Sequence, residues 1–414
     1  MNIFSQYKGL KKEIYILFVG RIVTAMGAFV YPMLTLMLKV KLGFSAGEIA
    51  IVLAVSTFLS LPASIIGGKL TDKIGRKKII VIFDFITEAL FIIAGLLPFS
   101  VATIVIIFVG GLFAQMEGPA YNALVADFST PKDREKAFSL SYLGYNLGFM
   151  IGPTIGGFLF ADYIGLSFII NALATMVSTI LIMIFVFEKN SVKNDKKEMA
   201  ITPESEYEVS DAKTTTWSII KDRKVLLLVM LAGSLAGAVY SLVSFLLPLN
   251  LEALYVDQGA VIYGTLCSFN GFVVIAATPI MMILLRRLKE IPKMLIGVFL
   301  FVVGLTIFGF SSGLVFIYVG MFVYTVGEVI NALGGSPYIT RRIPASHRGR
   351  LFAVSSVTGT IIAIASQLSI GYLLERFDYQ FIWSIYMGIG LVVVIMYMVL
   401  YRYDKKTFPK LYIK

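Results

Sequence analysis

One cysteine and one histidine are all the thiol and imidazole that this chain has. Cys267 lies alone in an apolar stretch, so a disulfide framework and a cysteine-based metal site are both excluded. His347 stands in the basic loop RIPASHRGR and is expected to be solvated. No metal site is expected, and no hydrolase or redox constellation appears, so the chain does not read as an enzyme. Charge is scarce as well: 15% of residues carry it, where a soluble domain holds about a quarter. With 58% hydrophobic residues among 414, only a membrane protein accommodates the composition. The net charge of +11 does not indicate nucleic acid, because the cations fall between apolar segments and so orient a chain in a bilayer.

Apolar segments long enough to cross a bilayer recur at 13–38, 46–70, 78–98, 101–126, 136–160 and 165–187. They resume at 222–251, 259–286, 292–311, 313–341, 349–374 and 379–402. This predicts an all-α membrane protein of twelve transmembrane helices, with a bundle over 1–187, a polar linker over 188–221 and a second bundle with a tail over 222–414. The linker is charged and poor in core-forming residues, as a solvated tether should be. Pro98-Phe99-Ser100 and Ser311-Ser312-Gly313 supply the chemistry for tight reversals. Residues 14–38 are too long for a cleaved signal and read as an uncleaved first helix.

Charge sets the expected orientation. With the N-terminus inside, the inner side takes Lys8, Lys11, Lys12, Lys132, Arg134, Lys136 and the linker. It also takes Arg286, Arg287, Lys289, Lys293, Arg341, Arg342, Arg348, Arg350 and the tail from Arg402. The outer side keeps Lys39, Lys41 and Arg376. Both termini are therefore expected in the cytoplasm of a multi-pass cell-membrane protein. The halves also repeat. Residues 134–141 align with 348–355 at an offset of 214, and the same offset sets Gly157 and Leu159 on Gly371 and Leu373. Parallel six-helix repeats are an architecture in which two bundles rock about a central site.

Gly68 to Lys78 packs an aspartate, five cations and a turn glycine between two apolar segments. Lipid cannot solvate such a stretch, so it is a loop at a membrane face. Gly68, Leu70, Asp72, Gly75, Arg76 and Lys77 resemble the signature loop of the major facilitator superfamily, with Lys73 where arginine is usual. Gly68 is expected to allow close helix approach and Gly75 a tight reversal. The resemblance implies that Asp72 meets the helix beginning near Gly349 and that Arg76 reaches Asp127, latching the inner side. It implies two pseudo-symmetric bundles over the whole chain except 188–221 and the tail.

Gly148, Gly152, Pro153, Gly156 and Gly157 form a second string. Glycines four apart let helix backbones approach, and Pro153 removes a donor and bends the helix. The string is similar to the antiporter motif of drug:proton exporters in that superfamily. Ser366-Gln367 takes the place of Gly152-Pro153 in the second half, so no bend is expected there.

Arg21, Asp84, Glu88, Glu117 and Glu328 are ionisable residues in apolar sequence. Each costs about 2.5–3.5 kcal/mol unless a partner, a cavity or a proton answers it. Arg21 and Glu117 lie at matching depths and are expected to pair. Asp84 is expected to be solvated or tied to the basic loop, and Glu88 to pair with Arg21 if Glu117 does not. Glu328, mid-helix, is expected to exchange a proton for a cation. Tyr31, Gln115, Tyr121, Asn122, Tyr145, Asn146, Tyr240, Asn270, Tyr324 and Asn331 are candidates to complete a pocket.

The expectation is a secondary transporter that exports lipophilic or cationic drugs against protons. It needs no cofactor beyond the proton gradient, and its partners are a small-molecule substrate, protons and the bilayer, with the chain a monomer. The alternatives are a narrow exporter of a sugar, metabolite or lipid, and a membrane receptor or scaffold without transport.

Overall fold

The computed structural model describes residues 7–130, 133–187, 219, 221–343 and 347–412, without the side chains of Ser336, Arg348 and Gly349. Lys132 and, apart from residues 219 and 221, the expected linker over 188–221 lie outside the described residues. Among the described residues the regular structure is entirely helical. Ten apolar stretches among the described residues are long enough to cross a membrane. One, Lys224–Leu284, contains two helices, and one further expected span is split in two. The twelve expected crossings are thereby accounted for.

The first crossing is not one helix. α1 (Lys12–Gly27) stops, and α2 (Val30–Leu36) resumes after a turn and runs into a π-helical turn, Met37–Lys41. Pro32 gives the reason: its nitrogen cannot donate, and its ring clashes with the carbonyl four residues back, at Ala28. α3 (Ala46–Ile74) starts on a capping box, with the Ser45 and Glu48 side chains each bonded to the other's backbone N–H. α4 (Arg76–Leu96), α5 (Val101–Asp127), α6 (Arg134–Phe149), α7 (Gly152–Leu159) and α8 (Ile164–Phe185) follow. Then come α9 (Lys224–Tyr255), α10 (Gly259–Leu284), α11 (Glu290–Phe310), α12 (Leu314–Thr340), α13 (Arg348–Leu374) and α14 (Tyr379–Thr407). Both tight reversals fall where turn residues stand: Ser100 caps α5 and Gly313 precedes α12. α13 runs unbroken through Ser366-Gln367, as the missing proline requires.

The chain divides into two compact units over its described residues. One comprises Met1–Phe44, Val55–Met199 and Leu251–Phe272; the other comprises Ser45–Ala54, Ala200–Asn250 and Val273–Lys414. Within the first, α4 packs on α5 and α8, and α1 packs on α6 and α8. Within the second, α11 packs on α12 and α14. Each unit holds the same small-residue contact. In the first, Gly157 lies against the Ala260 backbone; in the second, Gly371 lies against the Ala46 carbonyl and Ala50. The offset of 214 relates Gly157 to Gly371 and Ala46 to Ala260, so the sequence repeat reappears as a repeated packing contact.

Two readings of the inner cations are corrected in the second unit. Arg342, expected among the solvated loop cations, is fully buried. Its guanidinium binds Asp404 at 2.8 Å and Glu290 at 3.1 Å. Tyr338 and Tyr412 donate to Asp404 at 2.8 and 2.6 Å, and Arg223 donates to the Arg342 carbonyl at 2.6 Å. Burial, reinforced by the adjoining Asp404 carboxylate, pushes the Tyr412 phenol well above its ordinary range. His347 is likewise buried, at 7% exposure, because it precedes α13 at a packed helix start rather than standing on an open loop.

Removing one member of this network leaves a buried charge without its full complement. Asp404→Ala should therefore cost about 3 kcal/mol or more, read as a lowered thermal midpoint of the purified protein in detergent. Lys406→Ala, exposed at the end of α14, should leave the midpoint unchanged.

Candidate functional site

The charged loop of the first unit is a turn of one residue. α3 ends at Ile74, α4 begins at Arg76, and Gly75 between them has φ +106°. A side chain at that φ is strained, so glycine is what permits helices of opposite direction to join so closely. Arg76 Nε lies 2.9 Å from Asp127 at the end of α5, as an ion pair whose N–H is not aligned on the carboxylate. Lys77 donates to the Met183 and Val186 carbonyls at 2.8 Å each, where the orphan acceptors and negative dipole of α8 favour a cation. Three helix ends are thus tied by two adjacent side chains.

Close helix approach falls to Gly67 rather than Gly68. A side chain at Gly67 would enter the Met116 backbone of α5, whereas Gly68 has Pro119 as its nearest neighbour at 3.9 Å. Asp72 is exposed.

The glycine string is a packing surface with two faces. The helix breaks at Met150 and Ile151, just ahead of Gly152-Pro153, and α7 restarts with proline in its first turn. Gly148 lies on the Ile22 carbonyl, Gly152 on the Met26 carbonyl and Gly156 on Phe29, so three glycines seat the first crossing where it too is broken. The other face meets α10: Gly157 on Ala260, the Pro153 carbonyl on Gly264, and Thr154 bonded to Ser268 at 2.7 Å.

Around Arg21 the expected ion pair is absent. Among the described residues no ion pair joins Arg21 to Glu117 or Glu88. The guanidinium lies between aromatic faces instead, 4.9 Å from the Tyr121 ring centroid and 5.4 Å from that of Tyr145. Such cation–π contacts answer a charge where water is excluded. Tyr121 is anchored by its hydroxyl to the Leu17 carbonyl at 2.7 Å, and Tyr145 stacks on Phe149. Glu117 is half-buried and within electrostatic reach of Arg21 and Asp84. Asp84 is neither solvated nor tied to the basic loop; it is buried and bonded to Thr179, as is Glu88. Equal depth along two helices does not make two side chains face each other, which is why the pairing failed.

Of the other pocket candidates in this unit, Gln115 and Asn122 are exposed, Asn270 is half-buried, and Tyr31 is partly exposed with its hydroxyl against Gly111. Asn146 is buried and donates to the Tyr142 carbonyl, which makes it a helix-packing residue.

Glu328 in the second unit sits beside an aromatic cluster. Tyr240 donates to its carboxylate at 3.2 Å. The Tyr240 and Tyr324 rings stack at 5.5 Å, and Phe301 lies 5.0 Å from Tyr324 and 5.7 Å from Tyr240. Tyr324 is buried and holds the Tyr240 carbonyl at 2.6 Å, while Tyr240 is 38% exposed and Glu328 half-buried. A carboxylate at the open edge of aromatic rings is suited to a cation with apolar surface. Asn331 belongs elsewhere: with Gly327 and Gly334 it faces Gly297, Leu300 and Met294 of α11. Phe301 was not among the sequence candidates, because nothing along α11 separates it from the other apolar residues. The double cation Arg341-Arg342 and the acid Asp404 in the tail were visible, but not the burial of Arg342 and Asp404.

The Major Facilitator Superfamily model matches residues 17–365. The "Na(+), Li(+), K(+)/H(+) antiporter" of Planococcus maritimus is 24% identical over 357 residues, covering 79% of this chain and 81% of that protein. The "Quinolone resistance protein NorA" of Staphylococcus aureus is 31% identical over 154 residues, covering 36% of this chain and 39% of that protein. Among solved structures, a variant of the peptide transporter POT in complex with alafosfalin superposes with a TM-score of 0.76 at 16% identity. That superposition covers 97% of this chain and 96% of the other.

Where glycine meets backbone the tolerance for a methyl group is nil, and where it meets open space it is ample. Gly152→Ala should sharply lower the yield of monodisperse protein in size-exclusion chromatography, since its methyl would lie 2.6 Å from the Met26 carbonyl. Gly118→Ala, with nothing within 4 Å, should behave as wild type.

Proposed function

We propose that this chain, which belongs to the Major Facilitator Superfamily, is a proton-coupled exporter of lipophilic cations. It is a multi-pass membrane transporter and its substrate is a small molecule. The cell membrane is its place, and the uneven distribution of cations between alternate loops supports both termini lying in the cytoplasm. The single observation that carries the finer reading is Glu328 at the edge of the Tyr240, Tyr324 and Phe301 rings. An acid in an apolar helix is stabilised either by a proton or by a cation, and aromatic faces add attraction for an organic cation. Proton and substrate then compete for one carboxyl group, which is the essence of antiport. Arg21, beside the Tyr121 and Tyr145 rings, and the half-buried Glu117 are proposed as further members of the proton path.

The relatives' names support parts of this reading: one is named for exchange of alkali cations against protons, the other for quinolone resistance. A second reading, alkali-cation/proton exchange, is favoured by the greater coverage of the first relative. It fits the pocket less well, because alkali cations are held by clustered oxygen ligands, whereas Glu328 is bordered by ring faces. The string from Gly148 to Gly157 is proposed as the element that holds the first crossing in register, and Arg76, Lys77 and Asp127 as the tie between the ends of α4, α5 and α8.

Dye efflux from energised vesicles tests the assignment. Glu328→Gln should abolish proton-driven export of a lipophilic cation, and Tyr240→Phe, which removes one hydrogen bond worth about 1 kcal/mol, should weaken it about fivefold. Export by Glu328→Gln at the wild-type rate with unchanged proton coupling would sink the proposal. Sodium-driven proton movement that persists in both variants without dye export would establish the second reading.

A further inference from the structure

Asp84 and Glu88 lie one turn apart on α4 in the first unit, with 9% and 1% of their surfaces exposed. From α8 the Thr179 hydroxyl approaches Asp84 Oδ2 at 2.6 Å and Glu88 Oε1 at 3.3 Å, and it lies 3.0 Å from the Thr175 carbonyl. A hydroxyl has one hydrogen to donate. Three acceptors therefore crowd a single donor. Glu88 Oε2 is also buried and has no hydrogen-bond partner at all.

No cation closes this deficit. The charged and titratable neighbours are Arg21 on α1, and Glu117 and Tyr121 on α5; α8 contributes Thr179. Arg21 is engaged with the Tyr121 and Tyr145 rings, and among the described residues it forms no ion pair with either acid. Three acids and one cation thus share an interior that does not solvate charge. Two carboxylates sharing a site cannot both ionise without a large penalty.

We propose that Asp84 and Glu88 together bind one proton, with Thr179 as its third partner, in a proton-binding site distinct from Glu328. With one carboxyl protonated, one acceptor becomes a donor and two hydrogens instead of one serve the pair of acids, while the Thr175 carbonyl keeps its backbone bond within α8. The acid O–H donates to the Thr179 oxygen or to the other carboxylate, and the Thr179 hydrogen is free for the remaining acceptor. Glu88 is the thirteenth residue of the 21 in α4, near the middle of its crossing. Asp84, nearer the inner end, is in electrostatic reach of Arg21 and Glu117, so the bound proton is connected to the half-buried acid of the same unit. The role in transport rests on the proton-coupled reading; the existence of the site does not.

Infrared difference spectra of the full chain in lipid nanodiscs, between neutral and alkaline pH, test the site directly. The wild type should show a carbonyl band of a protonated carboxylic acid at neutral pH. The isosteric variants Glu88→Gln and Asp84→Asn should each lose a component of it, Thr179→Val should shift that component, and Glu328→Gln should retain it. A wild-type spectrum without a protonated-acid band overturns the site, as does a band unchanged in both Glu88→Gln and Asp84→Asn. Because the readout needs no substrate and no gradient, failure of Glu328 to couple export would leave it intact, and the two proposals fall separately.

Discussion

A hydrocarbon interior offers charge no solvent, so every ionic group that leaves the aqueous faces of this chain has to be answered by another group of the chain. The answers differ with the group. Arg342 is met by two carboxylates and lies over the Tyr338 ring. Arg21 is met by ring faces, and Lys77 by the free carbonyls of a helix end. Acids have fewer options, since hydroxyl donors are few and rings repel them. That asymmetry is why Asp84, Glu88, Glu117 and Glu328 are the groups proposed to take up protons.

The same poverty of solvent governs the backbone. Both broken crossings of the first unit are broken by proline, at Pro32 and at Pro153, and the breaks pack on each other through Gly148, Gly152 and Gly156. A free carbonyl beside a proline is tolerable in a membrane protein when it is buried in protein rather than in lipid. The glycines make this possible by letting the two interruptions come into backbone contact. Proline and glycine are one device here, in which the first creates the irregularity and the second covers it.

Helix number, the two tight reversals, the one-residue turn at Gly75 and the Arg76–Asp127 contact were all legible in the sequence, because each depends on residues close in the chain or on a strongly patterned motif. Azimuth was not legible. Depth along α1 and α5 put Arg21 and Glu117 at one level, yet the rings of Tyr121 and Tyr145 hold the cation. Asp84 looked near enough to the inner face to be wet, yet Thr179 draws it into the interior; nothing in α8 announces that hydroxyl among its neighbours. Arg342 carried the signature of an inward-lying loop and was read as solvated, because the acid that buries it, Asp404, is 62 residues away. The adjacent glycines 67 and 68 were separable only once α5 was seen against the first of them.

Because Gly75 alone separates α3 from α4, this hairpin has no slack. Most surface connections absorb insertions and deletions cheaply, and their lengths drift among related chains. Here one added residue would carry Arg76 and Lys77 about 100° around the helix axis and away from the α5 and α8 ends they hold. The segment from Ile74 to Lys77 is therefore a fixed-length ruler within the first unit, closed to epitope and domain insertions.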